Sequence, residues 1–111
     1  MRAHAEVMDF SEIDNTLVCL FPERLDGFVS SALEKELVQR TTEFKTNHTN
    51  ARIVFDMSGV LFISSFFLRI CLIHHKNFEK ECFAITNTSE EVFKVFSVSG
   101  FDKIMNVVPE S

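Results

Sequence analysis

A chain of 111 residues is long enough for one hydrophobic core and too short for two, so a single domain over residues 1–111 is expected. Hydrophobic residues make up 46% and charged residues 24%, which excludes wholesale disorder. The net charge is −5 and no stretch gathers Lys and Arg densely enough to neutralise a run of phosphates, which excludes nucleic acid as the expected partner.

In chain order, the opening MRAHAEVMDF has no apolar h-region, so it does not read as a secretory leader. Residues 3–9 and Thr16–Phe21 carry short apolar runs that read as a pair of strands, the second closed by Pro22. From Leu25 the spacing changes. Leu25, Phe28, Val29, Ala32, Leu33, Leu37 and Phe44 recur at intervals of three and four, the mark of an amphipathic helix, with Asp26 placed to cap it.

Arg52–Met57 reads as a buried strand, and a second helix is expected from near Ser65 to about His75. On that helix Leu68, Cys71, Leu72 and His75 are expected to face the sheet. Phe66, Phe67, Ile70 and His74 then form an outer apolar stripe, read as a protein contact. His74 and His75 read as a solvated helix end, and neither they nor His4 and His48 have metal-site spacing.

Glu81–Thr86 reads as another strand. Thr88-Ser-Glu-Glu91 has the spacing of a capping box opening a third helix, Gly100 is placed to end it, and Phe101–Met105 forms a last turn. Strands alternating with helices predict an α/β domain: a small mixed sheet of four to five strands covered by about four helices.

The three cysteines, Cys19, Cys71 and Cys82, fit neither a disulfide framework nor a paired zinc pattern, and reduced thiols in a cytoplasmic setting are expected. The longest apolar run, Val60–Ile73, is interrupted by Ser64, Ser65 and Arg69 and is too short to span a bilayer, so membrane insertion is not expected. There is no G-x-S-x-G elbow, no glycine-rich phosphate loop with Lys and no H-E-x-x-H, and the chain is read as a non-enzyme without cofactor or metal.

The most informative stretch runs from Asp56 to Leu68, out of a buried strand, across a polar turn and into a helix. With Asp56, Ser58, Val60, Ile63, Ser65 and Leu68 at consistent spacing, it resembles the STAS family, the sulphate transporter and anti-sigma-factor antagonist domains. Arg24-Leu25-Asp26 and the segment Ser89–Ile104 resemble the family's first helix entry and last helices, so the likeness covers almost the whole chain.

The resemblance implies a protein-interaction module like the anti-sigma-factor antagonists, with Ser65 as the residue that accepts phosphate from a partner serine kinase. It also implies a contact surface of Asp56, Ser58, Ser64, Ser65, Phe66, Phe67 and Ile70. Three neighbours depart from the family pattern: Ser64 stands where an Asp is usual, Phe66 replaces a small hydroxyl residue, and Phe67 replaces a Gly. The alternative role is a constitutive subunit docking on a larger assembly such as a transporter ATPase through Phe66, Phe67 and Ile70. The Phe66/Phe67 face also offers a route to a homodimer.

Overall fold

The structure, a computed structural model, describes residues 8–111. Strand β1 (Asp9–Ile13) and strand β2 (Thr16–Leu20) form an antiparallel hairpin, pairing Ile13 with Thr16 across a two-residue turn. Asp14 adopts φ 55° in that turn, the left-handed conformation that Asp tolerates and that a tight hairpin needs.

The short strand β3 (Arg24–Leu25) leads into helix α1 (Gly27–Asn47). Strand β4 (Arg52–Asp56) follows, then the short strand β5 (Phe62–Ile63) and helix α2 (Ser65–Asn77). A 3-10 turn precedes strand β6 (Phe83–Thr88), helix α3 (Glu90–Val98), a second 3-10 turn and strand β7 (Asn106–Pro109).

The main sheet has the order β1-β2-β4-β6-β7, parallel except for the hairpin, and β3 pairs with β5 in a separate parallel ribbon. This is the mixed α/β architecture expected from the alternation of elements, with three α-helices and two 3-10 turns where about four helices were expected.

Because strand side chains alternate between faces, the register aligns Leu17 with Ile53 and Cys19 with Phe55, then Ile53 with Phe83 and Phe55 with Ile85, all on one face. All six are buried. The opposite face, through Val18, Val54 and Ala84, is only half-buried, so the core lies on one side of the sheet.

Phenylalanine fills that core by edge-to-face contact. Phe55 meets Phe21 at 5.0 Å and Phe83 at 4.9 Å between ring centroids, and Phe67 of α2 completes the cluster at 5.1 Å from Phe21. Rings without polar atoms can pack in this way with no partner for a buried hydroxyl or indole N–H.

Several expectations are corrected. The apolar run over residues 3–9 lies largely outside the described residues, and the first strand begins at Asp9. Its exposed, polar pattern carries no buried-strand signature. The buried stripe of α1 is Ser30, Leu33, Leu37, Thr41 and Phe44, so two hydroxyl residues sit within it, while Phe28 is 85% exposed. Helix α3 is capped by Ser89, whose Oγ accepts from the Val92 N–H at 3.2 Å. Thr88 instead stays in β6, buried, and its hydroxyl donates to the Val108 carbonyl. Strand β7 escapes sequence reading because its four residues are mostly exposed.

His74 is not a solvated helix end. It is 2% exposed, with Phe55 5.0 Å away and Phe83 and Phe78 stacked at 6.0 and 6.3 Å. Its Nδ1 lies 2.9 Å from the Ile70 carbonyl, which can only accept, so Nδ1 carries the proton. In the neutral ring Nε2 then accepts from the Thr41 hydroxyl, 3.0 Å away on α1.

Burial holds the His74 pKa below the ordinary 6.5, against smaller upward pulls from the Ile70 carbonyl and Glu34. The unfolded chain therefore binds this proton at a higher pH than the folded one. Stability is complete above pH 6.5 and falls as pH drops from there toward the folded pKa. Urea unfolding at successive pH values below neutrality is expected to give a falling midpoint in the natural sequence and a flatter profile in His74→Leu, where the Thr41 hydroxyl turns its proton to the Val38 carbonyl 3.2 Å away.

Candidate functional site

Strand β4 ends at Asp56, and the chain must then turn to reach the ribbon strand β5. Asp56 Oδ1 holds that turn, accepting from the Ser58 N–H at 2.9 Å and the Ser58 hydroxyl at 2.6 Å. A third donor, Asn87 Nδ2, reaches the same oxygen at 3.1 Å from the end of β6. Asn87 can do so because the β6–β7 register shifts between Ile85 and Thr88 and Asn87 takes φ 56°, turning its amide toward the neighbouring strand.

Gly59, at φ 80°, completes the turn in a conformation that costs a side chain strain. The Val60 N–H donates to the Met57 carbonyl at 3.0 Å.

The loop is then fastened to the entry of α1. The Leu61 N–H donates to the Glu23 carbonyl at 2.8 Å, and the Ser64 N–H donates to the Leu25 carbonyl at 2.9 Å. Pairing of β3 with β5 sets Arg24 opposite Phe62, and the guanidinium carbon of Arg24 lies 4.7 Å from the Phe62 ring centre. The starts of α1 and α2 are thereby held by one short ribbon.

The two serines divide at this point. Ser64 is the N-cap of α2, its Oγ accepting from the Phe67 N–H at 3.3 Å, while Ser65 is the first helical residue and is exposed. The loop leading to Ser65 displays Leu61 at 61% and Phe62 at 41% exposure, together with exposed Ser58. Phe66 is half-buried, with the Arg69 guanidinium carbon 4.6 Å from its ring centre. Arg69 also reaches Glu34 of α1 at 4.0 Å.

Of the residues singled out from sequence, Asp56 and Ser58 hold the turn after β4, Ser64 and Ser65 open α2 at the far end of the same loop, and Phe66 follows them. Phe67 and Ile70 do not share that surface: both are fully buried, facing the sheet with Cys71 and His74. The expected inner and outer faces of α2 are rotated by about one residue, because Phe66, Phe67, Leu68, Ile70, Cys71 and Leu72 make the helix apolar on nearly every side. An outer stripe of Phe66, Phe67 and Ile70 therefore does not exist, and neither does a homodimer face built on Phe67. Sequence reasoning did not place Leu61, Phe62, Arg24 or Arg69 at this loop, and it set Phe28 on the buried stripe of α1, where it is exposed. Phe28 falls at helical spacing with residues that are buried, so pattern alone assigns it to the core.

The buried thiols offer no nucleophile. Burial pushes Cys19 up to about 12 and Cys71 well above its usual range, so both stay protonated near neutrality. Among the described residues no helix is long and apolar enough to cross a membrane.

Comparison with known proteins bears on this junction. The STAS domain family model matches residues 8–111. An anti-sigma-factor antagonist (STAS) domain protein from Planctomyces limnophilus has a similar structure, with TM-score 0.78 and 18% identity over 94% of this chain and 91% of that one. An anti-sigma factor antagonist from Mycobacterium paratuberculosis gives 0.78 and 20% over 93% and 85%. The Bacillus cell fate determinant SpoIIAA, in its phosphorylated form, gives 0.64 and 20% over 94% and 93%. At such identities the likeness is one of fold. No curated protein sequence matches this chain.

Proposed function

Since the chain belongs to the STAS domain family, we propose that it is a non-enzymatic protein-interaction module of the anti-sigma-factor antagonist kind, working in the cytoplasm and switched by phosphorylation of Ser65. One observation carries the reading. Ser64 supplies the cap of α2, and Ser65 beside it is exposed at the start of the helix, at the end of a loop that also exposes Leu61, Phe62 and Ser58.

The partner on this reading is a serine kinase resembling an anti-sigma factor. Ser65 Oγ attacks the terminal phosphorus of a nucleoside triphosphate held by that kinase, and the new O–P bond forms as the bridging bond to the β-phosphate breaks. The nucleoside diphosphate leaves, and the hydroxyl proton passes to a base of the kinase. The product carries about −1.5 to −2 added charge on a surface that is otherwise partly apolar, and a partner covering it would have to desolvate that charge.

Docking without a switch, through Phe66, Phe67 and Ile70, has less support, because two of those three side chains are buried.

Incubation of the protein with labelled nucleoside triphosphate and native lysate, followed by peptide mapping, is expected to find phosphate on Ser65 and none at that peptide in Ser65→Ala. Label confined to another residue, or no label under conditions that retain the partner, would contradict the proposal.

A further inference from the structure

Arg69 stands one helical turn after Ser65. Side chains four apart on an α-helix are neighbours about 40° apart around the axis, and helical side chains lean toward the N-terminus. Arg69 follows this rule, since its guanidinium lies over Phe66 at 4.6 Å, drawn back toward the first turn that Ser65 opens.

Its present anionic partner is a weak competitor. Glu34 approaches through one oxygen at 4.0 Å, and the two side chains are 56% and 27% exposed. An exposed, single-contact pair at that distance is worth little, because water screens it and two long side chains must be ordered to hold it.

We propose that phosphate on Ser65 takes Arg69 away from Glu34 and is held within the same helix by the guanidinium. A phosphate brings nearly twice the charge of a carboxylate and three acceptors, and the planar fork of Arg can meet two of them at once. The link between α1 and α2 through Glu34 and Arg69 is then replaced by one within α2. The phosphate is fixed at the start of α2 in one place, and the Glu34 carboxylate is released to solvent. A glutamate at position 65 is shorter and carries one charge, so it reproduces the charge change better than the rearrangement.

This inference rests on Ser65 being the phosphoacceptor, and its test does not depend on any kinase. Phosphoserine is installed at position 65 of the full chain during translation, and the phosphate is titrated by phosphorus NMR through its second ionisation near about pH 6. A neighbouring cation favours the dianion, so this ionisation is expected about half a pH unit or more lower with Arg69 present than in Arg69→Gln. In the Arg69 protein, the Nε–H signal of that arginine is expected to move on comparing the serine and phosphoserine forms. Equal titration in the two proteins, or an Arg69 signal unmoved by phosphate, overturns the inference. Either result leaves open to separate test whether a kinase modifies Ser65.

Discussion

Phe67→Ala is expected to lower unfolding stability by about 3–5 kcal/mol, the usual cost of truncating a fully buried phenylalanine. Phe67 is 0% exposed and lies 5.1 Å from Phe21 and 6.1 Å from Phe55, so the lost ring leaves a void between α2 and the sheet. Domains of this size hold about 5–15 kcal/mol in total, so the loss is a large share of the whole. Phe66→Ala, one residue earlier, removes a half-buried ring that packs on the edge of the core beneath the Arg69 guanidinium, and should cost less, about 1–2 kcal/mol. The chain contains no Trp or Tyr, so urea unfolding followed by far-ultraviolet circular dichroism is the suitable measurement. Similar midpoints for the two variants would place the faces of α2 as the bare sequence suggests and contradict the packing described above.

That pair of variants also marks where the sequence was legible and where it was not. The buried strands Thr16–Leu20 and Arg52–Asp56 announce themselves as apolar, β-branched runs closed by a turn, and the Asp26 cap and the left-handed Gly100 follow from local chemistry. Local chemistry fits either of the two adjacent serines, Ser64 and Ser65, to cap α2 without choosing between them. That choice depends on where β5 delivers the chain, with the Ser64 N–H bound to the Leu25 carbonyl of β3. Edge strand β7 went unread, and the first strand of the expected pair was placed several residues early, because a strand with little burial has no reason to alternate apolar and polar residues.

The rotation of α2 went unread for the opposite reason. With apolar residues all around it, its buried face is chosen by the sheet register and by His74 reaching Thr41, neither of which has a periodic signature. The candidate site was half legible. Asp56, Ser58, Ser64 and Ser65 fall in one short stretch of chain between β4 and α2, whereas Arg24 meets Phe62 only through the pairing of β3 with β5.

Ser65→Glu is expected to weaken binding of the natural partner at least tenfold. Ser65 is exposed at the helix start and accepts no structural duty from Ser64, so the substitution should leave the fold intact while adding a charge there. An uncompensated charge desolvated in an interface costs about 3–5 kcal/mol, and each 1.4 kcal/mol is about a factor of ten in affinity, so even partial desolvation reaches the expected loss. Ser65→Ala removes the phosphoacceptor without adding charge and should bind like the natural sequence in its unmodified form. The phosphoserine form should lose at least as much affinity as Ser65→Glu, because its charge is larger.

The most direct measurement of the switch is therefore quantitative capture from native lysate with four baits: the natural chain, Ser65→Ala, Ser65→Glu and the phosphoserine form, with retained proteins identified by mass spectrometry. The account predicts a serine kinase of the anti-sigma-factor kind retained by the first two and lost from the last two. A partner retained equally by all four would contradict a switch at Ser65 and reduce this serine to the first residue of a helix.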